Sequence, residues 1–269
     1  MTDPAPDRLA FFLGGHDLEM ETIRDLVAEA APERLFDKRL SWGAKASAYG
    51  EEIRSALARG LTPVLIELPD DLGLDCALIV VDHHGPRAGK AAPTSLHQIF
   101  GLLRLPPERW TRWLELVAAN DRGHIRELRR LGATDAEIDR VRKADRAAQG
   151  VSEDDEAAAE AAVRNAQTFA DGRLVVVRLP HSHASAAADR LELSDDPPEN
   201  ALVLSPTEAN FYGRGALVRR LDERYPEGWS GGALPDRGFW GRAPVPPDIV
   251  AFLRSALEEL TPQAARSAR

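Results

Sequence analysis

The chain carries one cysteine, Cys76, among 269 residues, so no internal disulfide can form. It has no apolar run of about 18 residues or more, the length a transmembrane helix needs. Its N-terminus, Met1-Thr2-Asp3-Pro4-Ala5-Pro6-Asp7-Arg8, lacks the basic-then-apolar order of a signal peptide. Together these absences predict a cytoplasmic protein without a membrane partner. Positive charge is also short: 34 Lys and Arg face 43 Asp and Glu, a formal net charge of −9. A long duplex is held through its phosphates by a broad basic face. The charge balance therefore disfavours extended nucleic acid. A small phosphorylated substrate, neutralised by metal ions and a few arginines, suits it better. There is no internal repeat and no heptad seam.

What is present is an ordinary globular composition, 43% hydrophobic and 29% charged. The length suits one large domain or two modest ones. In the N-terminal half, strand and helix signals alternate. Strands are predicted over 9–13, 63–68 and 77–81, with helices over 21–31 and within 43–60. That order predicts a parallel sheet covered by helices. From Ser95 to about Ala166 the pattern is helical, in segments 95–104, 107–119, 122–131, 134–148 and 153–166. Thr134 and Ser152 precede acidic first turns, as helix N-termini should. A second alternating region follows: strands over 174–179 and 201–205, helices over 182–191, 216–225 and 248–260, and a glycine- and tryptophan-rich loop over 228–241. The fold class predicted is α/β, with an N-terminal parallel-sheet domain (1–130), a helical connector (131–170), a smaller C-terminal α/β domain (171–262) and a disordered tail (263–269).

The chemistry concentrates after the run Cys76-Ala77-Leu78-Ile79-Val80-Val81, which reads as a buried strand of a parallel sheet. It ends in Asp82-His83-His84-Gly85. Ligands in open α/β sheets bind beyond the carboxyl ends of the strands, so three potential metal ligands stand where such a fold places its site. Carboxylate beside imidazole suits Mn²⁺, Fe²⁺ or Zn²⁺ better than Ca²⁺. Acidic residues follow the other two strands as well: His16-Asp17-Leu18-Glu19-Met20-Glu21 after the first, and Glu67-Leu68-Pro69-Asp70-Asp71 after the second. Pro180-His181-Ser182-His183 reads as a pair of surface loop histidines, with a metal-binding pair as the alternative.

Asp82-His83-His84 resembles the signature of the DHH phosphoesterase superfamily. That resemblance implies a site of two divalent ions, Mn²⁺ or alternatively Mg²⁺. Its implied ligands are Asp17, Glu19, Glu67, Asp82, His83 and Asp121, the last from Asn120-Asp121-Arg122-Gly123-His124. Glu21 stays open as a rival to Glu19, and Asp70 as a rival to Glu67. Asp82 and His83 would act catalytically with His84, which orients the site or donates a proton to the leaving group. Arg87 and Ser95 are implied to bind substrate phosphate, Ser95 at the N-terminus of a helix. His97 is read as a surface histidine that could also reach the site, and His124 as a group behind the ligands.

Ser230-Gly231-Gly232-Ala233 resembles the glycine-rich motif of the domain many DHH enzymes carry after the catalytic one, without its usual histidine. Gly231, Gly232 and Arg237 are accordingly implied as substrate contacts, with Arg214 and Arg242 as further clamps. Trp229, Phe239 or Trp240 would stack on a base. The implied activity is metal-dependent hydrolysis of a phosphodiester or phosphate ester of a small nucleotide or short oligonucleotide. The alternatives are a catalytically degenerate nucleotide-binding protein and a pyrophosphatase-like hydrolase. A homodimer is compatible with the resemblance.

Overall fold

A computed structural model of the chain describes residues 5–260 except 42, 84–92 and 233. It divides into two compact units, Met1–Gln149 and Gly150–Arg269.

In the first unit, Leu9-Ala10-Phe11-Phe12-Leu13 has no polar face and is buried at every position as β1 (Leu9–Leu13). A strand covered on both sides has that composition. β1 pairs in parallel with β2 (Leu35–Phe36) and β3 (Thr62–Ile66), and β3 pairs in parallel with β4 (Ile79–Val81). The sheet order is β2-β1-β3-β4. Alternate side chains of β1 enter two cores. Leu9, Phe11 and Leu13 pack with α1 (Leu18–Ala30), α3 (Ser95–Leu102), α4 (Arg112–Arg130) and α5 (Asp135–Ala148). Ala10 and Phe12 pack with Ile53 and Ala56 of α2 (Gly50–Ala58). The parallel sheet covered by helices is therefore present, and its strands all end at one edge.

Three expectations need correction in this unit. β4 is an edge strand of three residues with Ile79 and Val80 half-buried, not a buried strand over 77–81. Its ladder with β3 begins only at Ile79, opposite Val64, which leaves Cys76 half-buried outside it. The segments 107–119 and 122–131 are a 3₁₀ turn over Pro107–Arg109 followed by α4, which breaks at Gly123 and His124. The stretch 131–170 is not a separate connector: α5 contributes Ile138 and Val141 to the first unit's core, while α6 (Glu153–Arg164) contributes Ala159 to a core of the second.

The second unit holds a six-stranded sheet of β5 (Gln167–Phe169), β6 (Leu174–Arg178), β7 (Ala201–Leu204), β8 (Ala209–Arg214), β9 (Trp229–Gly231) and β10 (Arg237–Arg242). The order is β5-β6-β7-β8-β10-β9, with β6 and β7 parallel and the other neighbours antiparallel. Leu202, Phe211 and Trp240 pack on one face under α8 (Gly215–Arg224) and α9 (Ile249–Glu259). Val177, Ala201 and Val203 pack on the other with Ala159 of α6 and Ala186 and Ala187 of α7 (Ser185–Glu192). The segment expected as a loop over 228–241 is the β9–β10 hairpin. Its glycines, which read as loop signals, sit in strands because aromatic rings lie across them: Phe239 over Gly231 and Trp229 over Gly241. Among the described residues, no helix is long and apolar enough to cross a membrane.

Candidate metal centre

The site forms where the strands of the first sheet end. After β1 the chain turns through Gly14-Gly15-His16 into α1, whose N-cap is Asp17. Its Oδ1 accepts from Met20 N at 2.8 Å. An N-cap carboxylate satisfies an otherwise orphaned backbone donor and favours the helix dipole. Glu19, in the first turn, is 2% exposed and so faces inward. After β3 comes Glu67, held at φ +52°. A non-glycine residue in that left-handed region is strained and persists only where its surroundings fix it. Gly14 supplies the room: a Cβ there would lie 2.6 Å from the carbonyl oxygen of Ile66 and 2.8 Å from that of Glu67. After β4 comes His83. Asp121 arrives from α4, two residues before the break at Gly123-His124, where His124 has φ +51°.

Glu19, Glu67 and His83 each place a ligand atom within 4.8 Å of the other two. His83 Nε2 lies 3.7 Å from Glu19 Oε2, 3.7 Å from Glu67 Oε1 and pairs closely with Asp121 Oδ2. The N-terminus of α3 closes the group. Ser95 Oγ donates to Glu67 Oε1 at 2.8 Å, and Leu96 N donates to Glu19 Oε1 at 3.0 Å. Glu19 Oε2 is buried and accepts no hydrogen bond from the described residues.

Four buried carboxylates around one imidazole hold more negative charge than the group itself neutralises. Burial, then the charge of Glu67, raises the Asp17 carboxyl well above its ordinary range. Burial, then Glu19 and Asp121, raises Glu67 likewise. Burial and the charge of Glu19 push Asp121 up to about 8. At His83 burial opposes the charged form, but the adjacent carboxylates of Asp121 and Glu19 outweigh it and hold the imidazolium to about 10. A divalent cation is the group that would relieve this repulsion and occupy Glu19 Oε2. Oxygen donors with one imidazole match Mn²⁺ or Mg²⁺. The residues present therefore fit a divalent-metal site.

The alternatives left open by the sequence differ in where their side chains lie. Glu21 turns away to His16, at 3.2 Å, so Glu19 is the inward residue. Asp70 is exposed and accepts from Leu72 N, so Glu67 is the inward one. Asp82 is half-buried beside His83, and its carbonyl accepts from Gln98 Nε2. It is not in the compact group of Glu19, Glu67 and His83. His84 and Arg87 lie outside the described residues. Ser95, expected as a phosphate contact, is fully buried and donates to Glu67 Oε1. His97 is half-buried against Trp110, ring centroids 4.3 Å apart, and its Nδ1 is 3.0 Å from Thr94 Oγ1.

In the second unit the expected substrate contacts have internal roles. Gly231 accommodates Phe239, and Gly232, at φ +100°, packs against Gly238 in the hairpin turn. Arg237 donates to the carbonyls of Glu199 and Pro198. Arg214 lies 3.6 Å from Glu199, and Arg242 pairs with Glu227 at 2.9 Å. Trp240 is a core residue, whereas Trp229 and Phe239 are exposed.

Of the layer behind this group, the sequence reading has His124 but not Arg142 or Asp145. Arg142 Nη1 donates to Asn120 Oδ1 at 2.7 Å and to Asp145 Oδ2 at 2.8 Å, and lies 3.1 Å from His124 Nδ1. Asp145 Oδ1 in turn accepts from Leu18 N at 3.3 Å. This buried network joins α5 to the start of α1 and the break in α4, the segments that carry Asp17, Glu19 and Asp121. A signal for it exists: Arg142 and Asp145 occupy the same stripe of α5 as Ile138 and Val141, where helical periodicity expects apolar residues.

No family model matches the chain, and no curated protein matches it. Solved structures do. RecJ from Thermus thermophilus in complex with Mn²⁺ superposes with a TM-score of 0.50 at 14% identity, over 96% of this chain and 52% of that one. The DHH domain of a protein described as a member of a family of ribosomal proteins superposes with a TM-score of 0.50 at 13% identity, over 94% and 87%. The chain thus spans about half the length of that RecJ. The chain shares its fold with these two structures.

Proposed function

We propose that the chain is a metal-dependent phosphoesterase that hydrolyses a phosphodiester or phosphate ester of a small nucleotide or short oligonucleotide. The observation that carries this reading is the buried group of Glu19, Glu67, His83 and Asp121 at the strand ends, with its excess of carboxylate and the buried Glu19 Oε2 that accepts no hydrogen bond. The DHH-type fold supports it, and RecJ, described in complex with Mn²⁺, supports divalent metal use.

Two ions, Mn²⁺ or alternatively Mg²⁺, would be held by Asp17, Glu19, Glu67, His83 and Asp121, with Asp82 beside them. Such ions supply a hydroxide nucleophile at neutral pH and stabilise the oxygens of an in-line phosphoryl displacement. The protein's own contribution is positioning. Ser95 and Leu96 N fix the orientation of Glu67 and Glu19. Asp121 holds His83 with Nε2 turned into the group. His84 is assigned the proton donated to the leaving group and Arg87 a contact to phosphate. In the second unit the exposed rings of Trp229 and Phe239 are the side chains suited to stacking on a base.

A hydrolysis panel with Mn²⁺ tests the reading: a generic phosphodiester, a dinucleotide, a cyclic dinucleotide, a 3′,5′-bisphosphonucleoside and pyrophosphate. Turnover of a nucleotide ester that falls at least about 100-fold in Asp121→Asn supports it. Turnover of pyrophosphate alone favours the pyrophosphatase-like alternative. Absence of both turnover and bound Mn²⁺ would establish a degenerate binding protein instead.

A further inference from the structure

We infer that Asp155, His181 and His183 form a second divalent-metal site, selective for zinc-class ions and independent of the phosphoesterase reading. Their ligand atoms lie within 4.8 Å of one another. Asp155 sits in the first turn of α6, and the two histidines lie in the loop that follows β6, so one unit supplies all three.

The hydrogen bonds fix which lone pairs are available. His181 Nε2 lies 3.0 Å from the carbonyl oxygen of Asp155 and must donate to it. His183 N donates to His181 Nδ1 at 3.2 Å. His181 is therefore the neutral tautomer with its proton on Nε2, and its Nδ1 lone pair accepts from His183 N. Imidazoles that bind metals are typically fixed in this way, through a donated bond from the other ring nitrogen to a backbone carbonyl. Asp155 Oδ2 accepts from Ser152 N, Ser152 Oγ and His183 Nδ1. Asp155 Oδ1 has no hydrogen-bond partner among the described residues, and it stands 3.8 Å from His181 Nδ1.

The spacing suits an ion. Bonds of about 2.0–2.1 Å in a tetrahedral site separate adjacent ligand atoms by roughly 3.3–3.4 Å. Here each imidazole is near that separation from a different oxygen of the carboxylate: His183 Nδ1 is 3.1 Å from Asp155 Oδ2, its present hydrogen-bond partner, and His181 Nδ1 is 3.8 Å from Asp155 Oδ1. On binding, His181 Nδ1 gives up the His183 N–H for the metal, and His183 Nδ1 gives up its proton to solvent. A helix N-terminus repels cations, but the first turn of α6 carries Glu153, Asp154, Asp155 and Glu156. All three ligand side chains retain some exposure, so water can complete the coordination. Two imidazoles and one carboxylate favour Zn²⁺ or Co²⁺ over Mg²⁺ or Mn²⁺, the reverse of the carboxylate-rich group in the first unit. The ion would pin the loop after β6 to α6, over the core of Ala159, Leu179 and Ala184.

The experiment is equilibrium dialysis of the full chain against Zn²⁺, with metal per chain measured in a Glu19→Gln/Asp121→Asn background that disables the first group. We expect one zinc per chain, lost on adding His181→Gln/His183→Gln, and at least about tenfold weaker binding in His183→Gln alone. Asp155→Asn should also abolish binding while its amide oxygen keeps the helix cap. Equal zinc content with and without the two histidines overturns the site, since Asp155 and His183 would then be a hydrogen-bonded pair only. If the double-histidine variant does not fold, zinc-edge X-ray absorption on the background chain decides. Two imidazoles per zinc support the site; one or none refutes it.

Discussion

At the residue scale, the centre depends on one strained position and one missing side chain. Glu67 reaches Ser95 and His83 from a backbone at φ +52°, and the absence of a Cβ at Gly14 lets the β1 turn pass against its carbonyl. Gly14→Ala introduces an atom 2.6–2.8 Å from two backbone oxygens, neither of which has a flexible side chain to yield. We expect it to cost about 1–3 kcal/mol, the range of an overpacked site. The displacement should fall on Glu67, so Mn²⁺ affinity should drop as well. Urea denaturation and Mn²⁺ titration check both. A variant that loses stability but binds Mn²⁺ as the parent does would show that Gly14 serves packing alone.

At the element scale, three chain segments converge because α5 holds them. Arg142 and Asp145 are buried, at 1% and 3% exposure, and link Asn120 and His124 of α4 to the first turn of α1. Arg142→Met keeps the volume but leaves the Asp145 carboxylate without its guanidinium, which should cost about 3–5 kcal/mol. Mn²⁺ binding should weaken by about 10–100-fold, as expected for groups that orient ligands. Calorimetric titration on the folded fraction separates the two effects. Elements of this kind also show what a sequence can reveal. β1, β3, α1 and the carboxylate-bearing strand ends are legible because burial and helical periodicity leave a pattern in the residues. Glu67 over Asp70 and Glu19 over Glu21 are not, because a single turn of backbone decides which carboxylate faces inward. The β9–β10 hairpin escapes notice because Gly231 and Gly241 act there as sockets for Phe239 and Trp229, and composition alone cannot distinguish that from a turn. Ser95 stands at the expected place with a different partner. A helix N-terminus attracts any anion, and here Glu19 and Glu67 take the positions a phosphate would.

At the scale of the whole molecule, the strand-end group of carboxylates and His83 makes the first unit's stability depend on pH in a definite direction. Asp121 titrates at about 8 in the folded chain against 3.8 ordinarily, and Glu67 and Asp17 are raised in the same sense. His83 is raised from 6.5 to about 10. Every one of these groups binds protons more tightly when folded than when unfolded. The metal-free protein therefore has its full stability from this cluster at low pH, below about 4. It loses that contribution as pH rises through about 8 and, for His83, on toward about 10. This is the reverse of acid denaturation driven by paired carboxylates. A bound divalent ion changes the sign, because it requires the deprotonated ligands and is bound more tightly as they lose their protons. At a free concentration a hundredfold above its Kd, Mn²⁺ adds about 2.7 kcal/mol, which for a unit of about 150 residues raises Tm by roughly 5–10 °C. The expected outcome is a chelated protein whose first-unit transition falls in temperature between about pH 5 and pH 8, and a Mn²⁺-loaded protein in which that fall is reduced or reversed. Scanning calorimetry at several pH values with EDTA or Mn²⁺ measures it. Glu19→Gln should remove the Mn²⁺ response at every pH. Zinc bound through His181 and His183 should instead move the transition of the second unit, where none of these carboxylates lies. A Mn²⁺ response that survives in Glu19→Gln, or a chelated protein that gains stability over the same pH interval, would show that the strand-end carboxylates are not the groups that govern metal binding.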